Sequence, residues 1–296
     1  MSDAQAMKRR LAPRAERLLR PLQASEIAAP VQEKLPLLLR LADQSWARRL
    51  LILAVVAVLW EINARIINND LLFPTFIDTV IALLRSIAEG VLPERVATSF
   101  RILAMGYGVG MLAAAILTAL AAGSRLGADI LSTLTAMFNP LPAIALLPLA
   151  LLWFGLGTGS IVFVVVHSVL WAVALNTHVG FRSVPDAQRM AGQNYGLRGL
   201  RYVALILVPA ALPSILSGLK IGWAFAWRTL IAAELVFGVS SGAGGLGWFI
   251  FERRNALETA DVFAGLMAVI LIGLFVESVI FRAIEKRTVL RWGMQR

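Results

Sequence analysis

Five charged residues fall inside or beside long apolar stretches of this 296-residue chain: Glu61, Lys220, Arg228, Glu234 and Glu277. A charge at the centre of a bilayer costs on the order of 3 kcal/mol on insertion scales, so each needs a partner, a snorkelling route or a wet pathway. Lys220 stands about two turns from the end of its stretch and can snorkel. Glu61 is placed to pair with a neighbouring helix. Arg228 and Glu234 are six residues apart, a poor spacing for a direct pair on one helix. Each then takes a partner from another segment, and Glu277 is one candidate. Two readings stay open: ion pairs that lock a helix bundle, or groups facing a pathway in which Arg228 draws in an anion. The run Asn139, Pro140, Leu141, Pro142, followed by Pro148, interrupts backbone hydrogen bonding at the same depth. Such backbone is tolerated where it lines a cavity or packs against protein, and both remain possible here.

Other chemistry finds no support. The chain has no Cys, which removes disulfides, zinc–thiolate clusters and cysteine nucleophiles. His167 and His178 lack a carboxylate cluster beside them, so histidines satisfied within a bundle are expected and no metal site. No Ser/His/Asp, His-rich or paired-acid constellation marks a catalytic centre, so no catalytic residue and no enzyme activity is expected. The glycine-rich run at 238–247 has the composition of a flexible turn. No GxxxxGK[ST] occurs anywhere, so the chain is expected to carry no nucleotide-binding loop and no cofactor of its own. Gly106, Gly108 and Gly110 permit close helix approach, and Trp223, Trp227 and Trp248 read as packing or interface residues.

These residues need membrane helices to position them. The chain is 58% hydrophobic, and its apolar residues come in blocks long enough to cross a bilayer at about 20 residues each. Six blocks qualify, near 47–67, 98–122, 129–154, 159–180, 211–237 and 260–284, so an all-α integral membrane protein is expected. The net charge of +10 would suggest nucleic acid in a soluble protein. Here the basic residues flank apolar blocks, so topology and lipid headgroups explain them and no nucleic-acid partner is expected. About 49 mostly polar or mixed residues precede the first block, longer than the charged start of a signal peptide. The first block is therefore expected to be an uncleaved span. Arginine and lysine crowd residues 1–49, the loops after spans two and four, and the tail. The positive-inside rule puts both termini and the loop at 181–213 in the cytoplasm. Organisation follows: a cytoplasmic basic arm at 1–49, a transmembrane domain at 50–285 and a cytoplasmic tail at 286–296. In the first outer loop, Phe73-Pro74-Thr75 and the apolar residues after it predict a short interfacial helix.

The segment at 185–213 is amphipathic, basic and punctuated by Gly and Pro, the build of a handle for a soluble partner. Ser183 can cap a helix, Pro185 fits its first turn and Asp186 stands at its positive end. Ala187, Met190, Ala191 and Tyr195 share one face, and Gly196 can end the helix at positive φ. A second short helix near 197–208 then leads to Pro209 and Pro213. Without more pattern, this describes equally an interfacial helix resting on lipid.

Gly196, nine residues, Ile206, one residue, then Val208-Pro209 resembles the EAA loop of ABC importer permeases, which ends G-x9-I-x-L-P. The run Leu147-Pro148-Leu149-Ala150-Leu151-Leu152-Trp153-Phe154-Gly155 resembles the branch that imports nitrate, bicarbonate, taurine and aliphatic sulfonates. So do Ala232-Ala233-Glu234 and Val262-Phe263-Ala264-Gly265. The resemblance covers about residues 70–292. It implies the type I importer (MetI-like) permease fold in a bacterial inner membrane. It also implies ATP-binding cassette ATPase subunits that bind the ATP, a second permease chain, an external substrate-binding protein and membrane lipid as partners. The loop residues Asp186, Ala187, Met190, Ala191, Gly192, Tyr195, Gly196, Ile206 and Pro209 would couple to the ATPase. Asn139, Pro140, Pro142, Arg228 and Glu234 are candidates to line the pathway for a small anion. The naming Glu-Ala-Ala falls here on Met190-Ala191-Gly192, so the acid is missing. A self-contained secondary transporter or channel is the alternative, though no internal repeat is visible. An uncharged or aromatic substrate is the alternative cargo.

Overall fold

The computed structural model describes residues 44–237 and 244–288. The basic arm expected over 1–49 lies almost wholly outside the described residues, as do most of the tail at 286–296 and the glycine-rich residues 238–243. The chain divides into two units, Met1–Val56 and Ala57–Arg296. The first is described from residue 44 on, where it begins helix α1 (Ser45–Ile67) with Leu50, Leu51, Ile52 and Leu53 exposed.

The second unit is helical wherever it forms regular structure among the described residues. After the rest of α1 come α2 (Phe76–Ala88), α3 (Val91–Gly123), α4 (Arg125–Phe138), a 3₁₀ turn (Ala143–Leu146) and α5 (Leu147–Phe154). Then follow α6 (Thr158–Arg182), α7 (Asp186–Asn194), α8 (Gly199–Tyr202), a π segment (Val203–Leu207) and α9 (Val208–Ala210). The chain continues through α10 (Leu212–Phe237), α11 (Leu246–Asn255), α12 (Thr259–Phe275), a second π segment (Val276–Phe281) and α13 (Arg282–Arg287). Local chemistry sets the ends. Thr75 caps α2 by accepting from Asp78 N at 3.0 Å, and Ser124 caps α4 by accepting from Gly127 N at 3.0 Å, each satisfying an amide the helix leaves free.

Among the described residues, four helical stretches are long and apolar enough to cross a membrane: Ala47–Ile67, Val91–Gly123, Thr158–Arg182 and Thr259–Arg287. Two sharply bent pairs, each counted as one span, raise the number to as many as six. Of the six expected spans, the third is not one kinked helix: Arg125–Phe138 and Ala143–Phe154 meet at 88°. Pro140 and Pro142 bring no N–H to the ladder, and the backbone reverses through Leu141 N to Phe138 O (3.1 Å) and Ala145 N to Pro142 O (2.9 Å). The fifth joins the short segment Gly199–Ala210 to Leu212–Val236 at 80°.

α6 is the centre of the bundle, packed by both α3 and α10, which also meet each other, Tyr107 donating to Leu219 O at 2.8 Å. Small residues allow the approach, since packing rather than water exclusion holds helices together in lipid. A Cβ on Gly106 would lie 2.6 Å from Val165 Cγ1, and one on Gly110 2.7 Å from Val169 Cβ. Gly108 faces open space. The expected glycine stripe therefore works through Gly106 and Gly110, four apart on one face, and Gly108 is not part of it. The segments expected outside the cell hold more structure than expected. α2 forms as the sequence predicts and packs on α12. The glycine-rich run expected as a turn over 238–247 ends inside a helix, α11, which buries Leu246, Phe249 and Ile250.

Candidate functional site

The loop after α6 begins with a change of role. Ser183 does not cap α7: it closes α6, its amide bonded to Val179 O at 3.0 Å and its hydroxyl donating to Gly180 O at 2.9 Å. Pro185 is the residue before α7, held extended at φ −58° and ψ 142° with no side-chain cap. Asp186 opens the helix on its positive end, exposed. The far end closes as expected. Gly196 adopts φ 74°, Gly196 N bonds Gln193 O at 2.9 Å and Leu197 N bonds Gly192 O at 3.1 Å. Those two bonds form a Schellman cap, which needs a left-handed residue at this position.

Two residues seat α7. Arg189 donates to Val184 O at 3.1 Å and also to Phe181 O, taking up carbonyls at the end of α6. Gly192 is buried, and a Cβ there would lie 2.8 Å from Ile206 Cγ1 and 3.2 Å from Tyr202 Cε2. The π segment that carries Ile206 thus lies directly beneath Gly192. Pro209 follows in α9, just before the 80° bend into α10. With Arg189 and Gly192 turned inward, Ala187, Met190 and Ala191 are exposed, Met190 at 57%. Tyr195 is 86% exposed. An apolar helical face held outward on fixed supports suits docking into a groove on another protein. Gly192, where the family motif has Ala, is the residue that close contact with Ile206 requires.

The pathway candidates separate into two places. Asn139, Pro140, Pro142 and Arg228 line one cavity of about 410 Å³, together with His167, Trp171 and Phe225. Arg228 donates through Nε to Ala224 O at 3.1 Å and lays its guanidinium 5.0 Å from the Phe225 ring centre. Glu277 is not its partner: it pairs with Lys220 at 3.1 Å. Lys220 is therefore ion-paired rather than merely snorkelling. Glu61 pairs along its own helix with Arg65 at 2.8 Å and accepts from Ile77 N, at the start of α2, at 3.3 Å.

Glu234 stands apart from that cavity. It is 2% exposed and accepts from Ser99 Oγ and Gly247 N, each at 2.8 Å. Ser99 Oγ in turn accepts from Leu246 N at 2.8 Å. The carboxylate thus satisfies the Gly247 amide and, through Ser99, supports the acceptor of the Leu246 amide at the start of α11, where an anion is favoured, and fastens α3, α10 and α11 together. A Cβ on Gly245 would lie 2.1 Å from Glu234 Oε1, and one on Gly247 2.6 Å from Glu234 Cβ. Those glycines make room for a carboxylate of the chain itself. Ser99 carried no signal in the sequence, being one hydroxyl in an apolar helix. Nor did Arg189, a basic residue in a basic loop. Among the described residues no group of His, Asp and Glu is arranged to hold a metal ion.

Residues 106–289 match the model of a family described as the binding-protein-dependent transport system inner membrane component. The chain is 30% identical over 229 residues to a Methanocaldococcus jannaschii protein named provisionally as an ABC transporter permease, over 76% of this chain and 84% of the relative. It is 34% identical over 158 residues to the taurine transport system permease protein of Escherichia coli, over 53% of this chain and 56% of that one. It is 30% identical over 190 residues to a nitrate import permease protein of Synechocystis, over 62% and 68%.

Proposed function

Because this chain belongs to the family of binding-protein-dependent transport system inner membrane components, a family of all-helical, multi-pass inner-membrane permeases, we propose that it forms half of an import pathway driven by a separate ATPase. In this reading two permease chains build the pathway and two ATP-binding cassette subunits bind the ATP, so this chain needs no cofactor. An external binding protein delivers the cargo, and lipid surrounds the bundle. The charge bias puts α7 and both termini in the cytoplasm. The cargo is a small anion or a sulfonate, since an oxyanion group is what joins the taurine and nitrate relatives.

The observation that carries the reading is the seating of α7. Arg189 and Gly192 fix it to α6 and the π segment, and the exposed Met190 and Tyr195 face outward. A push on that face by a closing ATPase dimer passes through Ile206 and Pro209 into α10 and tilts it as a rigid body. Asp186, Ala187, Ala191 and Gly196 complete the docking loop. In place of the acid missing at Met190, the docking surface is apolar, with Asp186 one turn earlier.

Proteoliposomes holding the full chain, with and without the cognate ATPase, test this. Uptake of a labelled anion should need both ATP and the ATPase. Gly196→Val places a β-branched residue at φ 74°, a strain of about 1–2 kcal/mol. It should leave ATP hydrolysis running while uptake falls. Uptake by the chain alone, without any nucleotide-binding subunit, would refute the reading.

A further inference from the structure

Resting on the reading of the chain as an anion permease, we propose that the cavity between the 88° break and α10 is a substrate subsite. It takes a monoanionic oxyacid with a short apolar body and no ammonium group, the chemistry of an alkanesulfonate.

The charge pattern selects an anion. Of the five charges in the apolar stretches, Glu61, Lys220 and Glu277 are ion-paired and Glu234 is hydrogen-bonded in burial. Among the described residues, Arg228 alone of the five meets neither an opposite charge nor a buried polar cluster. Its Nε bonds its own helix and its guanidinium lies over Phe225, which leaves the terminal nitrogens for a ligand. A guanidinium offers paired donors that match a planar or pyramidal oxyanion. One wall adds a donor: the Thr229 hydroxyl accepts from Ser168 Oγ at 2.9 Å and keeps its own proton for a ligand.

The same lining selects against a second, positive group. Among the described residues no Asp or Glu lines the cavity, so a cargo ammonium would be desolvated without a counter-charge, a costly state in low dielectric. Pro140, Pro142, Phe225 and Ala232 give it apolar wall instead. At about 410 Å³ the space lies in the range of small-molecule sites and exceeds what a bare nitrate fills. A single cation, apolar walls and no acid together favour a short organic monoanion.

The test uses 1-propanesulfonate and taurine, which share size and sulfonate and differ by a terminal methyl in place of the ammonium. Binding of each is measured by calorimetry to the full chain with its ATPase in nanodiscs, with nitrate as a third probe. 1-Propanesulfonate should bind at least tenfold tighter than taurine or nitrate. Arg228→Gln should weaken it tenfold or more, and Arg228→Lys by less. Ala232→Leu, which fills the cavity and keeps Arg228, should weaken it independently of any folding defect in the arginine variant. Equal binding of taurine and 1-propanesulfonate, tighter binding of nitrate, no binding of any probe, or wild-type affinity in Arg228→Gln and Ala232→Leu would each overturn the subsite. ATP-driven uptake in the same particles reconstituted into liposomes is scored separately. Uptake that persists while the subsite fails leaves the permease reading intact, and loss of ATP dependence sinks that reading instead.

Discussion

Restoring the family's alanine at Gly192 should loosen the loop rather than strengthen it. In a helix interior alanine is better than glycine by about 1 kcal/mol, so on propensity alone Gly192→Ala would stabilise α7. The new methyl, however, would lie 2.8 Å from Ile206 Cγ1 and 3.2 Å from both Ile206 Cδ1 and Tyr202 Cε2. The nearest of these is a mid-chain atom of a β-branched side chain, which gives little. Overpacking of this kind costs about 1–3 kcal/mol. The balance is a net loss of about 1 kcal/mol, or an about fivefold rise in local opening. Gly192→Val, with less propensity gain and two more carbons, should lose about 2 kcal/mol and open about thirtyfold more. Hydrogen exchange of the peptide covering residues 186–197 measures this directly in the purified chain. Ile206→Ala on the Gly192→Ala background should recover about 1 kcal/mol of it, seen as non-additivity in a double-mutant cycle. Slower exchange in Gly192→Ala, or additivity of the two changes, would show that the seat is not tight and that Gly192 is there for another reason.

Other outcomes follow from the same contacts. Gly110→Ala should lower the melting temperature by several degrees, as about 1–3 kcal/mol of overpacking against Val169 requires, whereas Gly108→Ala, facing open space, should leave it unchanged or slightly raised. Glu234→Ala strands the Gly247 amide and the Ser99 hydroxyl, each worth about 1–3 kcal/mol when buried and unpaired. Glu234→Gln keeps an acceptor oxygen, so its melting temperature should fall between Glu234→Ala and wild type. Lys220→Met removes a pair whose side chains are both about half exposed or more, at 48% and 61%, and should change stability by less than about 1 kcal/mol.

What could be read from the residues alone followed periodicity and spacing. The long apolar runs of α1, α3, α6 and α12 announce themselves, and Thr75 and Gly196 mark their helix ends through types that favour caps. The interval from Gly196 to Pro209 carries the resemblance to importer permeases, the family to which the chain belongs. The failures share a cause: they depend on contacts between segments distant in sequence. Ser183 fits an N-cap by type, yet α6 runs on to claim its hydroxyl. Glu277 is a reasonable partner for Arg228 by depth, but helix rotation turns it to Lys220. By sequence, Glu234 stands open between a bundle lock and a pathway candidate beside Arg228. Its true neighbours, Ser99 and Gly247, are separated from it by 135 and 13 residues, and no local pattern encodes that meeting. Gly108 sits in a stripe with Gly106 and Gly110 by eye, though two residues of helix turn it to the opposite side.

The Glu234 clasp also constrains how this bundle can move. It rivets α10 to α3 and α11 near one end of α10, while the seat of α7 and the 80° bend lie at the other. Glu234 is 22 residues from the first residue of α10, about 33 Å along the axis. A tilt of about 10° about that fixed point sweeps the far end, with the part of α6 packed on it, by about 6 Å. α10 is then a lever with its fulcrum at a carboxylate. Its stroke is largest where the backbone slackens into a π segment, a form that often marks a functional site. In the proposed coupling, work applied at α7 would enter at the long arm of α10.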